Sequence, residues 1–119
     1  MATTRLMQFR KRLAQERLDA ALVTQLQQIR YLTGFSGSAG LLVVTPQRAD
    51  FLTDFRYKEQ SKAEVRGARV TIVGADLMAE LKKHPILAGR NVRVGFHADG
   101  TTVAYRDRLA SQLPQVLLV

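Results

Sequence analysis

The stretch Leu41-Leu-Val-Val-Thr-Pro-Gln-Arg-Ala-Asp-Phe-Leu-Thr53 decides the architecture. Leu41 to Thr45 and Ala49 to Thr53 are both β-type runs, and only Pro46, Gln47 and Arg48 separate them. A gap of that size closes a hairpin but is far too short for a parallel crossover, so the sheet contains an antiparallel pair. Working outward toward the N-terminus, Gly34-Phe-Ser-Gly-Ser-Ala-Gly40 carries glycine at every third position. Neither a helix nor a strand interior tolerates that spacing, and the segment reads as a loop. Before it, Gln25 to Leu32 reads as a short helix, and Leu18 to Thr24 reads as a strand with apolar Ala20 to Val23 on both faces. From Thr3 or Thr4 to near Arg17, Leu6, Phe9 and Leu13 recur at i, i+3 and i+7, the spacing of an amphipathic helix.

Working outward the other way, Asp54 is placed to cap a polar helix from about Arg56 to Val65. Val70, Ile72 and Val73 form a strand after Gly67, and Asp76 opens a helix containing Leu77, Met78 and Leu81 that stops before Pro85. Val92, Val94 and Phe96 alternate as a strand, Thr102 caps a last helix ending before Pro114, and Val116 to Val119 is a final strand. Helices alternate with strands almost throughout, which predicts an α/β domain with helices on both faces of a mixed sheet. A chain that halts on Val116, Leu117, Leu118 and Val119 is expected to be a piece of a longer protein.

Length and composition narrow the function classes. The 119 residues suit one domain, residues 1–119, and 46% hydrophobic with 24% charged residues is ordinary for a globular core. The longest purely apolar runs are far below the ~20 residues that span a bilayer, and Met1 to Arg17 lacks the h-region of a signal peptide. A cytoplasmic protein without membrane contact is expected. Cysteine is absent, which removes disulfides and thiol nucleophiles. The net charge of +8 raises a free-standing basic module that binds nucleic acid as an alternative, although the excess is spread along the chain and its one short cluster is Arg10, Lys11 and Arg12.

No catalytic set assembles from these residues. The glycine loop follows a helix and precedes a strand, the reverse of a dinucleotide-binding fingerprint. Ser36 and Ser38 lack the G-x-S-x-G setting of an activated nucleophile, and His84 and His97 read as surface histidines. Asp50 and Asp54 point to the same side of one strand at a distance unsuited to a shared metal. Arg56 could present its guanidinium to a ligand carboxylate or pair with Glu59, and both readings stay open. Phe35, Ser36 and Ser38 sit on an adaptable loop suited to contacting a ligand.

Three blocks carry a resemblance: Leu18-Asp-Ala-Ala-Leu-Val-Thr24, Ile29-Arg-Tyr-Leu-Thr-Gly-Phe-Ser-Gly-Ser-Ala-Gly40, and Leu52-Thr-Asp-Phe-Arg-Tyr57 followed by Glu59 and Gln60. In order and spacing they resemble the N-terminal domain of the creatinase and Xaa-Pro peptidase family (aminopeptidase P, prolidase), most of all the shorter bacterial aminopeptidases or dipeptidases. Gln28 stands where the family often has Asn, and Phe55 where many members have Gly. The resemblance implies a three-layer α/β/α domain, ribonuclease H-like, with a mixed sheet of about six strands.

It also implies a chain that is not catalytic by itself and that carries no metal ligand. Chemistry would lie in a C-terminal pita-bread domain, absent here, where two Asp, one His and two Glu hold a pair of manganese, cobalt or zinc ions and short proline-containing peptides are cut. A creatinase-like amidinohydrolase parent is the neighbouring alternative. The N-terminal domain would partner that catalytic domain, contribute to a homodimer and narrow substrate access. By position the access loop is Phe35, Ser36, Gly37 and Ser38, with Phe35 as an apolar wall, the two hydroxyls as hydrogen-bond donors and Arg56 beside them.

Overall fold

The computed structural model describes residues 4–74, 76–84, 92–96, 103–112 and 116–118. In chain order the elements are α1 (Thr4–Gln15), β1 (Ala20–Val23), α2 (Leu26–Thr33), β2 (Leu41–Val44), β3 (Ala49–Asp54), a 3-10 turn (Phe55–Tyr57), α3 (Lys58–Glu64), β4 (Arg69–Val73), α4 (Leu77–Glu80) with a 3-10 turn (Leu81–Lys83), β5 (Val92–Phe96), α5 (Val103–Gln112) and β6 (Val116–Leu118). The sheet has six strands in the order β4-β3-β2-β1-β5-β6. β2 pairs antiparallel with β1 and β3, while β3–β4, β1–β5 and β5–β6 are parallel. β2 therefore runs against the other five strands, as the short Pro46 hairpin requires. Thr45 holds that turn: its N–H donates to the Arg48 carbonyl at 2.8 Å and its Oγ1 accepts the Arg48 N–H at 3.0 Å.

Period-two alternation along the strands feeds two separate cores. Ala20, Leu22, Leu41, Val43, Leu52, Val92 and Val94 face Leu77 and Leu81 on the α4 side. Ala21, Val23, Leu42, Val44, Ala49 and Phe51 face Leu6, Leu13, Ile29 and Leu32, supplied by α1 and α2. The result is the three-layer α/β/α arrangement expected from the sequence.

Element ends differ from expectation for local reasons. α1 stops at Gln15, before Arg17, because Arg17 adopts a left-handed φ of 57°. The Leu18 N–H then reaches back to the Leu13 carbonyl at 3.0 Å and the Arg17 N–H to that of Ala14 at 3.2 Å, the paired bonds of a Schellman end. The polar helix expected over Arg56 to Val65 divides into a 3-10 turn and α3, and Asp54 caps it as anticipated, its Oδ1 accepting the Arg56 N–H at 3.0 Å. α4 is one turn long and gives way to 3-10 geometry that ends at His84, whose ψ of 131° is what a following proline demands. Thr102, the expected cap of the last helix, and Val119, the end of the last strand, lie outside the described residues.

Candidate functional site

The five parallel strands end on one edge of the sheet, and β2 begins there. Loop 34–40, which leads into β2, and the 3-10 turn after β3 are consequently neighbours at that edge, the region where open α/β sheets bind ligands. The sequence reaches this geometry through Gly34. Its φ of 89° closes α2 with a left-handed cap, and its N–H donates to the Arg30 carbonyl at 2.8 Å.

From Gly34 the loop runs alongside α3, fastened at one end to that helix and at the other to the 3-10 turn before it. Ser36 donates its backbone N–H to Glu64 Oε1 at 2.9 Å, and its hydroxyl lies 3.0 Å from each Glu64 oxygen. Gln60 Nε2 joins the cluster, 3.2 Å from both Ser36 Oγ and Glu64 Oε1. At the other end the Ser38 hydroxyl bonds the Tyr57 hydroxyl, which also accepts the Ser38 N–H. Gly37 lies so close over the rings that an added Cβ would stand 2.3 Å from Phe35 Cζ and 2.9 Å from Tyr57 Cδ1.

These contacts set the electrostatics. The Ser36 N–H, with Gln60, holds the Glu64 carboxyl below its ordinary range. The Ser38 hydroxyl lowers the Tyr57 phenol in the same way. Arg56 grips Asp54 with two bonds, Nε to Oδ1 at 3.1 Å and Nη2 to Oδ2 at 2.8 Å, which depresses Asp54 and raises Arg56.

Several expectations need correction. Phe35 is no exposed wall: it is 1% exposed, 4.6 Å from the Phe51 ring centroid and edge-on to Tyr57 at 5.5 Å. A side chain of that size recovers more free energy against the α1–α2 core than it could on a polar loop. Arg56 does not pair with Glu59, because the Asp54 carboxylate two residues back meets it first; its side chain stays 69% exposed. His84 is not a surface residue. Its Nε2 lies 2.7 Å from Asp50 Oδ2, with both side chains 6% exposed, and Arg48 completes the group at 2.9 Å. His97 lies outside the described residues. Tyr57 and Gln60 belong to the third block of the resemblance but carry no expected contact there, and Glu64 is not singled out from the sequence at all, although the i, i+3, i+7 spacing of the three marks one face of a helix.

Among the described residues no group of three or more His, Asp or Glu side chains converges to hold a metal ion. The described residues also include no helix long and apolar enough to cross a membrane. The class defined by these observations is a three-layer α/β/α domain that presents a pinned hydroxyl loop and a charge-paired arginine at the carboxyl edge of a mixed sheet.

The profile of the Creatinase/Prolidase N-terminal domain matches residues 5–119, and the chain belongs to that family. It is 46% identical over 61 residues to the uncharacterized peptidase YqhT of Bacillus subtilis (strain 168), a match covering 51% of this chain and 17% of that relative. Its fold is similar to the N-terminal domain of the cytoplasmic peptidase PepQ from Mycobacterium tuberculosis H37Rv, with TM-score 0.86 and 32% identity over 99% of this chain and 92% of that one. It is also similar to an aminopeptidase P (Xaa-Pro aminopeptidase) structure from Streptococcus thermophilus, with TM-score 0.84 and 32% identity over 96% of this chain and 87% of that one.

Proposed function

We propose that this chain is the non-catalytic N-terminal domain of a cytoplasmic, metal-dependent Xaa-Pro peptidase, and that loop 34–40 with Arg56 shapes access of short proline-containing peptides to the catalytic domain. The observation that carries this reading is the fastening of the loop along α3. Ser36 bound to Glu64 and Ser38 bound to Tyr57 hold exposed hydroxyls and backbone at the sheet's carboxyl edge. A loop held in one conformation can exclude a long substrate, because widening the passage would mean breaking those bonds. Arg56, clamped to Asp54 yet largely exposed, presents remaining N–H groups toward a carboxylate.

Likeness to chains described as Xaa-Pro aminopeptidase and peptidase supports the activity of the parent, and the small share of YqhT that is matched supports a larger parent with a C-terminal catalytic domain. A pair of manganese, cobalt or zinc ions would belong to that domain, since the described residues here do not fit such a site. In this chain Asp50 and His84 are spent on each other. Homodimerisation of the parent would bring one protomer's loop to its partner's active site.

The test uses the full-length peptidase with Ser36→Ala/Ser38→Ala and, separately, Arg56→Ala, assayed on an Xaa-Pro dipeptide and on a longer Xaa-Pro peptide. The expected result is a changed ratio of kcat/KM between the two substrates at unchanged metal content. An unchanged ratio in both variants would overturn the assignment.

A further inference from the structure

Three arginines that make no ion pair among the described residues gather in one place. Arg5, Arg30 and Arg66 line a pocket of about 300 Å³ together with Thr4, Tyr31 and Gly34. Each comes from a different element: Arg5 from the first turn of α1, Arg30 from the last turn of α2, and Arg66 from the turn that follows α3. Backbone bonds hold the last two together, since the Arg66 N–H donates to the Thr33 carbonyl at 2.9 Å and the Gly34 N–H to that of Arg30 at 2.8 Å. Arg5 is ordered without any carboxylate. Its guanidinium lies 4.2 Å from the centroid of the Tyr31 ring, and its Nη1 donates to the Tyr31 carbonyl at 3.1 Å.

One acidic group is felt nearby. Arg30 contributes, as the smallest of several causes, to the lowered titration of Glu64, whose oxygens are already engaged by Ser36 and Gln60. Three guanidiniums against one carboxylate leave a local excess close to two positive charges. That excess matches a phosphate dianion, which carries about −1.5 to −2 at neutral pH and offers three acceptor oxygens. Guanidinium forks suit those oxygens in geometry, and an arginine already stacked on a ring loses less freedom when it binds.

We propose that the pocket between the start of α1, the end of α2 and the turn after α3 binds a phosphate dianion, as inorganic phosphate or as a phosphate monoester, with Arg5, Arg30 and Arg66 as donors. This site is independent of the peptidase reading, and its ligand would rest at the root of loop 34–40.

Isothermal titration of the 119-residue chain at low ionic strength, with inorganic phosphate and with a nucleoside monophosphate, tests it. A saturable single site is expected, and Arg5→Gln/Arg66→Gln should weaken it roughly tenfold or more. The control Lys11→Gln/Arg69→Gln removes the same charge away from the pocket and should leave the affinity unchanged. Both altered pairs are exposed, and amide spectra would verify that each variant is folded. Equal affinity for the two probes assigns free phosphate as the ligand, and tighter binding of the nucleotide assigns an ester. The proposal is overturned if neither probe binds saturably, or if the control pair weakens binding as much as the arginine pair.

Discussion

The two faces of the sheet are sealed in different ways. On the α1–α2 face, Phe35 from the loop meets Phe51 from β3 and Tyr57 from the 3-10 turn, so packed rings join the candidate site to the core. On the α4 face the core side chains among the described residues are aliphatic, and the short α4 segment is held by Leu77, Leu81 and the buried contact of Asp50 with His84. Ring packing is non-directional and large, while a hydrogen bond between buried groups is directional and modest in net energy. The first arrangement holds the loop through buried area. The second fixes the seat of a helix too short to define its own.

Substitutions at the centre of each face should separate these mechanisms. Phe51→Ala removes a fully buried ring and should cost about 3–5 kcal/mol in urea unfolding, with loss of the ordered loop signals in amide spectra. A cost under about 1 kcal/mol would mean that the aromatic cluster does not anchor the loop. Asp50→Ala leaves His84 without its carboxylate and should cost roughly 2 kcal/mol. Its effect on amide exchange should centre on residues 77–84 and spare loop 34–40, and exchange spread equally over both faces would erase the distinction. Arg17→Gly relieves a left-handed residue at the end of α1 and should stabilise by ~1 kcal/mol or less, read as a raised Tm.

What was legible in the sequence follows the same division. The strands β1, β2 and β3 and the hairpin were readable because apolar runs and Pro46 act locally, and the glycine loop was readable because its spacing forbids regular structure. Asp54 was recognisable as a cap, since a cap's partner lies two residues away. The Asp50–His84 contact was not readable: 34 residues separate the two, and only the folded sheet brings β3 under the end of α4. Phe35 was misjudged because its neighbours Gly34, Ser36 and Gly37 signal an exposed loop, whereas the ring turns inward to Phe51, 16 positions further along. The clamp of Ser36 on Glu64 likewise joins residues 28 apart. Local signals marked the loop, and distant packing decided which of its side chains face solvent.

The smallest effect concerns acid. Glu64 titrates below its ordinary value in the folded chain because the Ser36 N–H, Gln60 and the Ser36 hydroxyl favour its charged form. A depressed carboxyl contributes stability that is fully present above its unfolded value, near 4.5, and is lost as the pH falls through the lower folded value. Asp54, lowered by Arg56, acts in the same direction from its own reference of 3.8. Glu64→Gln keeps a side chain able to meet Ser36 but cannot ionise. Its melting temperature should therefore fall less steeply than that of the wild type as the pH drops below about 4.5, while the two curves run parallel above about 6. Asp54→Asn should flatten the curve at still lower pH. An acid limb identical in wild type and Glu64→Gln would show that the charge on Glu64 does not tie the loop to α3, and that the rings beneath it hold the loop alone.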